Sequence, residues 1–223
     1  MAGSGEVGFR ARGVESAAQV TPGKLELAAI LLAGGASTRM GRPKALLDYQ
    51  GEAFVDRLIR LFSLHCERVH VVLGHNAATI AAGMLHPNSA SLILNPRPER
   101  GQLSSLQCGL RVLPRTVSAV FFHPVDIPGI SGETIGQLAN AWNQSPEGTR
   151  IVQPAFAGRK GHPVLLAPDV ISELLALPPE SSAREVIQAQ PSRILTVQVS
   201  EEEILRDTDT PEDYLRLTGR DAQ

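Results

Sequence analysis

Short apolar runs rich in Val, Ile and Leu alternate along this chain with longer stretches in which apolar side chains recur every three or four positions. The runs predict strands at 27–32, 69–73, 91–94, 119–123, 151–154 and 194–199. The longer stretches predict helices at 54–64, 77–84, 104–113, 131–142, 169–177, 183–190 and 211–217. In the first of these, Phe54, Leu58, Leu61 and Phe62 share one face. Regular alternation of strand and helix is the pattern of parallel strands joined by crossover helices, with a helical layer on each side of the sheet. The rhythm changes after 154, where Gly158-Arg159-Lys160-Gly161 reads as a hairpin turn joining 151–156 to 163–166, so an antiparallel edge hairpin is expected. The last helix is marked by Thr210 as its cap, Pro211 in first position, and Glu212 and Asp213 in the first turn, where the helix dipole favours carboxylates.

Residues 1–24 hold Gly3, Gly5, Gly8, Gly13 and Gly23 and few large apolar side chains, so a flexible amino-terminal arm is expected ahead of one domain at 25–220. With 223 residues the chain can bury one sizeable core. In an open parallel sheet, ligands lie beyond the carboxyl ends of the strands, and chemistry is sought in the strand-to-helix turns.

The first such turn is the most informative. The run Leu31-Leu32-Ala33 stops at Gly34-Gly35 and continues as Ala36-Ser37-Thr38-Arg39-Met40-Gly41-Arg42-Pro43-Lys44. Glycines let backbone N–H groups approach phosphate oxygens without a Cβ in the way, while Arg39 and Lys44 supply charge. The spacing excludes a Walker loop, because Arg42-Pro43 separates Gly41 from Lys44. Pro43 also restricts Arg42 to extended geometry, which argues against a dinucleotide fingerprint running straight into a helix.

Composition narrows the partners. A net charge of −2 with no basic cluster argues against nucleic acid. Cys66 and Cys108 have no metal-like pairing and suit small buried hydrophobes in a reducing cytoplasm. No segment has the apolar length of a secretion signal or a bilayer span, so no membrane partner is expected.

Three further turns carry unusual content. Gly101-Gln102-Leu103-Ser104-Ser105-Leu106-Gln107-Cys108-Gly109-Leu110 reads as a helix start capped near Ser104 or Ser105. In His123-Pro124-Val125-Asp126-Ile127-Pro128 an aspartate stands between two prolines at the end of an apolar run, poised for a hard cation or else a solvated turn residue. His123, alone beside a strand, reads as structural or as a wall of the pocket. In Arg206-Asp207-Thr208-Asp209-Thr210-Pro211-Glu212-Asp213-Tyr214, alternation in an extended segment puts Asp207 and Asp209 on the same side, where both can face one cation. Helix capping explains Glu212 and Asp213 but leaves Asp207 without a role.

Taken together, these segments resemble the MobA-like and MocA-like nucleotidyltransferases of the molybdenum-cofactor type. Leu-Ala-Gly-Gly, Arg-Met-Gly and a lysine recur in this order, followed by Gly-x-x-x-Ser-Leu-x-x-Gly-Leu, Asp-x-Pro, Gly-His-Pro-Val-Leu and Asp-x-Asp-Thr-Pro-Glu-Asp. Valine before Asp126 departs from the usual pattern. The resemblance implies a single-domain Rossmann-like three-layer α/β/α fold with a mostly parallel sheet and an antiparallel edge hairpin, of the nucleotide-diphospho-sugar transferase type. It implies that Leu32, Ala33, Gly34, Gly35, Arg39 and Lys44 bind a nucleoside triphosphate, with the loop wrapping its phosphates, and that Gln102, Ser104 and Ser105 lie near its base and ribose. Arg39, Lys44 and Asp126 are the implied catalytic residues. Asp126, Asp207 and Asp209 are the implied Mg²⁺ ligands, Asp207 ranking slightly above Asp209. Arg159, Gly161, His162 and Pro163 fall on the acceptor side, with His162 and Arg159 reaching an anionic acceptor.

The implied reaction moves a nucleoside monophosphate to a phosphate-bearing acceptor of the molybdopterin type and releases pyrophosphate, with a recipient molybdoenzyme as a possible partner. Gly-His-Pro-Val-Leu-Leu and Asp-Thr-Asp-Thr-Pro-Glu-Asp-Tyr look more like the cytidylyl enzymes, whereas Leu-Ala-Gly-Gly is more usual in the guanylyl enzymes. CTP is favoured over GTP on this basis. A sugar-phosphate nucleotidyltransferase and a non-catalytic chaperone that hands on a bound cofactor are the alternatives.

Overall fold

The computed structural model of the chain describes Met1 and residues 26–220; the expected amino-terminal arm falls almost wholly outside the described residues. In chain order the elements are β1 (Leu27–Ala33), β2 (Asp48–Tyr49), β3 (Glu52–Ala53), α1 (Phe54–Ser63), β4 (Arg68–Leu73), α2 (Ala77–Gly83), β5 (Ser91–Leu94), α3 (Gln102–Leu110) and β6 (Ala119–Pro124). Then follow α4 (Gly132–Asn143), β7 (Ile151–Phe156), β8 (Arg159–Lys160), β9 (Val164–Leu166), α5 (Pro168–Ala176), α6 (Ala183–Ala189), β10 (Ile194–Gln198) and α7 (Pro211–Thr218). The main sheet runs β10-β7-β9-β6-β1-β4-β5, with β8 added to β7.

β1 lies between β4 and β6, parallel to both, and every one of its residues is buried. Its side chains alternate between two apolar layers. Ala29 and Leu31 join Phe54, Phe62, Phe121 and Ile135 on the face covered by α1 and α4. Ala28 and Ile30 join Leu106, Phe122, Leu174 and Ile187 on the face covered by α3, α5 and α6. A strand buried on both sides needs no polar alternation, which is why it reads as a continuous apolar run.

The antiparallel hairpin is present, with β7 pairing β8 and β9, but β9 does not sit at an edge. It is inserted between β6 and β7, antiparallel to each. Val164, Leu165 and Leu166 are all buried, so the sheet interior stabilises this short strand more than a half-solvated edge would. The edges fall to β5 and β10, whose side chains are largely half-buried or exposed.

Two local features also depart from expectation. α3 begins at Gln102, so Ser104 lies inside its first turn and its hydroxyl donates back to the Gly101 carbonyl at 2.8 Å. The β2–β3 hairpin turns at Gln50 and Gly51, both at positive φ; strands of two residues are too short to show a period. Cys66 is buried, Cys108 is half-buried, and neither forms a disulfide. No helix among the described residues is long and apolar enough to cross a membrane.

Candidate active site

The site is built at the carboxyl ends of β1 and β6, neighbouring strands in register from Leu27–Ala119 to Leu32–Pro124. Beyond β1 the chain enters the glycine loop. Gly34 packs closely: a Cβ there would stand 2.8 Å from Ser105 Oγ, and one on Gly74 would stand 2.7 Å from the Gly34 carbonyl oxygen. Only bare backbones fit between the ends of β1 and β4. The loop then folds back through Ser37, which takes a left-handed conformation (φ 52°) and accepts a hydrogen bond from the Lys44 amide at 3.1 Å. That closure places Lys44 over the end of the sheet.

Asp126 is held from three sides. Val125 N–H donates to the Leu32 carbonyl at 3.0 Å, tying the turn to β1. His123 Nε2 donates to the Ile127 carbonyl at 2.8 Å, which closes the turn beneath the carboxylate. Thr208 N–H donates to the Asp126 carbonyl at 2.7 Å, and so the carboxyl-terminal acidic segment is stitched to this turn. Asp209 is fixed in turn by Asp213, whose Oδ2 accepts from the Asp209 and Thr210 amides at 3.2 and 2.9 Å as part of the α7 capping box.

Lys44 Nζ donates to Asp126 Oδ2 at 3.0 Å and also to Asp209 Oδ1, while an Arg39 nitrogen donates to Asp209 Oδ2 at 2.9 Å. Two carboxylates from distant parts of the chain therefore converge on one cationic centre. Burial alone would lower the Lys44 ammonium, but the two carboxylates outweigh it and hold its pKa above the ordinary value. Burial raises the pKa of Asp126, against the pull of Lys44 and with help from the negative charges of Asp209 and Asp207. Asp209 is lowered, chiefly by the hydrogen bond from Lys44.

Two cavities open on either side of this cluster. One, of about 340 Å³, is lined by Leu32, Ala33, Gly34 and Gly35 of the loop and by Arg39, Lys44 and Ser105. The other, of about 590 Å³, is lined by Gln153, Arg159, Gly161, His162, Arg184 and Asp207. Gln102, Pro124, Asp126 and Asp209 belong to the walls of both. The arrangement suits two reactants meeting at the carboxylates.

Most of the sequence-derived candidates are thus gathered in one cleft, and some take different positions from those expected. Ser104 is buried outside both cavity walls; its hydroxyl is engaged by Asn95 Nδ2 at 2.9 Å and by the Arg97 and Gly101 carbonyls, whereas Ser105 faces the cleft. Pro163 is buried and shapes the backbone without lining the cavity. Asp207 is exposed and makes no ion pair among the described residues, whereas Asp209 shares the Lys44 ammonium with Asp126. Burial depresses the His162 pKa to about 4, leaving the ring neutral near pH 7, so attraction for an anion falls to Arg159 and its neighbours.

The sequence reading missed Ser37, Gly74, Gln153 and Arg184. Gly74 follows a strand directly and was open to the same reading as Gly34, but the others carry no local signature. Asp126 and Asp209 fit a hard divalent cation, which binds through one or two carboxylates plus substrate oxygens; their convergence on the Lys44 ammonium is the structural basis for that fit. Among the described residues no group of three or more His, Cys, Asp or Glu side chains forms a complete protein cage.

A mostly parallel sheet between two helical layers, whose carboxyl end carries a glycine loop, a lysine and converging carboxylates between two adjoining cavities, defines a nucleotidyltransferase fold. A model of the MobA-like NTP transferase domain matches residues 29–194, and the chain belongs to that family. The molybdenum cofactor cytidylyltransferase of Escherichia coli is 24% identical over 191 residues, covering 86% of this chain and 95% of that protein. A probable molybdenum cofactor guanylyltransferase of Rhodopirellula baltica is 34% identical over 128 residues, covering 56% of this chain and 59% of that one. Among solved structures, Rv0371c of Mycobacterium tuberculosis superposes with a TM-score of 0.74 at 23% identity, covering 88% of this chain and 98% of that chain. A manganese complex of the same protein superposes with a TM-score of 0.68 at 22% identity over 87% and 98% of the two chains.

Proposed function

We propose that the protein is a Mg²⁺-dependent nucleotidyltransferase that moves CMP from CTP to a phosphate-bearing acceptor of the molybdopterin type. The observation that carries the reading is the shared wall of Asp126 and Asp209 between two cavities, with Lys44 bonded to both. An acceptor phosphate oxygen attacks the α-phosphorus, a new P–O–P link forms, the bond to the bridging oxygen breaks, and pyrophosphate leaves. Such transfers depend on charge neutralisation and alignment, and no protein nucleophile is needed.

In this reading Gly34, Gly35 and the loop amides receive the β- and γ-phosphates, and Arg39 offsets charge on the leaving pyrophosphate. Lys44 serves the α-phosphate, where negative charge develops. Gln102 and Ser105 line the path to the sugar and base. Asp126 and Asp209 hold Mg²⁺, with Asp207 within reach of the same cavity; when bound, the ion neutralises phosphate charge and orients the reacting oxygens. Arg159 faces the acceptor. The manganese complex of the mycobacterial structure supports a divalent-ion site in this fold.

CTP is favoured because the cytidylyltransferase relative aligns over 95% of its length, and the Gly161-His162-Pro163 run suits the same reading. Guanylyl transfer is the second reading, supported by the Leu-Ala-Gly-Gly spelling and by the 34% identity to the Rhodopirellula relative. A cytoplasmic site of action and hand-over to a recipient molybdoenzyme accord with either. The deciding experiment is pyrophosphate release with CTP or GTP, Mg²⁺ and molybdopterin. Release with CTP and molybdopterin supports the proposal; release only with GTP selects the second reading, and release only with a sugar phosphate overturns both.

A further inference from the structure

The acceptor-side cavity holds two polar atoms that nothing in the fold explains. Gln153, on β7, is 5% exposed, and its Nε2 has no hydrogen-bond partner. His162 Nδ1 is likewise buried and unpartnered. Both residues line this one cavity, together with the apolar side chains of Phe122, Val164 and Ile187. Folded proteins rarely leave such groups unsatisfied, because each forgoes its hydrogen bonds to water without replacement.

The chemistry of the pair is complementary. Gln153 Nε2 can only donate. The His162 ring is held neutral by burial, and in the tautomer that carries its proton on Nε2 the unpartnered Nδ1 accepts. Around them stand Arg159, Lys160 and Arg184, exposed cations that make no ion pair among the described residues. The Arg184 charge is close enough to bear on His162. A cavity that sets Phe122, Val164 and Ile187 beside a donor and an acceptor, with Arg159, Lys160 and Arg184 along the same largely polar lining, fits a flat heterocycle attached to an anionic group.

We propose that Gln153 and His162 read the donor–acceptor edge of a heterocycle carried by the acceptor, while Arg184 holds the acceptor's anionic portion. The inference rests on the transfer reading above for the identity of the acceptor, and it assigns specificity to residues outside the glycine loop and the carboxylate cluster. A pterin, whose amino and lactam groups alternate donors and acceptors, has the required edge.

The test uses the full chain and two probes. Free 6-hydroxymethylpterin, which has the heterocycle and no phosphate, is titrated by fluorescence quenching into the unaltered protein, Gln153→Met, Gln153→Asn and Arg184→Ala; molybdopterin is then used in pyrophosphate release. The unaltered protein binds the pterin, and Gln153→Met weakens that binding about tenfold, with CTP affinity kept within twofold. The Tm of Gln153→Met stays level or rises, because an unpaired buried amide has been removed. Gln153→Asn, which keeps the amide, lies between. Arg184→Ala leaves the pterin affinity unchanged but raises the KM for molybdopterin and flattens its salt dependence.

Equal pterin binding by the unaltered protein and Gln153→Met, or no pterin binding at all, overturns the inference. Loss of CTP affinity together with a lower Tm in Gln153→Met overturns it as well, since that marks a structural role. If molybdopterin supports no pyrophosphate release but Gln153-dependent pterin binding persists, the transfer reading fails and this one stands.

Discussion

Lys44 Nζ lies 3.0 Å from Asp126 Oδ2 although 82 positions separate the two residues in the chain. Each follows one of two neighbouring parallel strands, so the register of β1 against β6 delivers both to the same end of the sheet. Asp209 joins them because the Thr208 amide is bonded to the Asp126 carbonyl. The ion cluster is therefore a consequence of backbone pairing, and side-chain substitutions within it should alter chemistry more than fold.

Asp126→Asn removes one carboxylate with little change in shape. Because burial already raises the Asp126 pKa, loss of its charge costs the fold little. Steady-state assays should show turnover reduced about 10²–10³-fold, the scale expected when a preorganised electrostatic group is lost, with Tm within a few degrees of the parent. Retention of most Mg²⁺-dependent activity would remove Asp126 from the metal role.

Lys44→Met leaves Asp126 and Asp209 facing each other without their shared cation. Mutual repulsion then favours a divalent ion between them. Titration of the nucleotide-free protein with Mn²⁺, followed by electron paramagnetic resonance, should show affinity about tenfold higher than in the parent, while triphosphate use falls sharply. Unchanged Mn²⁺ affinity would separate the lysine from the cation site.

The glycines of the site divide by what surrounds them. A Cβ on Gly161 would stand 2.3 Å from the Ile204 carbonyl oxygen, whereas one on Gly35 meets nothing within 4 Å. Gly161→Ala should therefore destabilise by about 1–3 kcal/mol, each kcal/mol lowering Tm by about 2–4 °C. Gly35→Ala should leave Tm unchanged and weaken only triphosphate binding. Calorimetry of the two variants side by side would expose an error in either assignment.

Acid stability should be governed in part by two histidines, His123 fully buried and His162 half-buried with its Nδ1 enclosed. Burial depresses His123 to about 3 and His162 to about 4 from an ordinary 6.5. Above pH 6.5 the rings are neutral in both folded and unfolded chains, and their contribution to stability is fully present. As the pH falls below that value the unfolded chain takes up protons that the folded chain refuses, so stability declines until the folded values are reached. At about 1.4 kcal/mol per pKa unit the combined loss is on the order of several kcal/mol. A Tm that stays level from pH 7 to pH 5 would contradict the burial of these rings.

Much of this was legible in the sequence. The apolar run ending at Gly34 announced a buried strand closed by a glycine turn, and the Thr210-Pro211-Glu212-Asp213 segment announced the start of α7, because caps and periods are local properties. Pairing of Asp207 and Asp209 on one side of an extended segment was legible for the same reason, and both reach the acceptor-side cavity. Which of the two meets Lys44 was not legible, since it follows from the Thr208–Asp126 backbone bond.

Ser104 and Ser105 show the same division. Side by side in sequence, both accept from Asn95 Nδ2 at 2.9 Å, but about 100° of helical rotation leaves Ser105 on the cleft and ties Ser104 back to the Arg97 and Gly101 carbonyls. β9 carries a strand signal in its apolar residues, but its place inside the sheet follows from burial on both faces, a property of its neighbours. Gln153 had no signal at all, because a glutamine in a strand acquires meaning only when the surrounding cavity denies its amide a partner. By itself the amino-acid order determined the main strands, the helices, the glycine turn after β1 and the family of motifs. The tertiary structure alone decided which side chains share a cleft, because that depends on strand register and on long-range backbone hydrogen bonds between segments far apart in the chain.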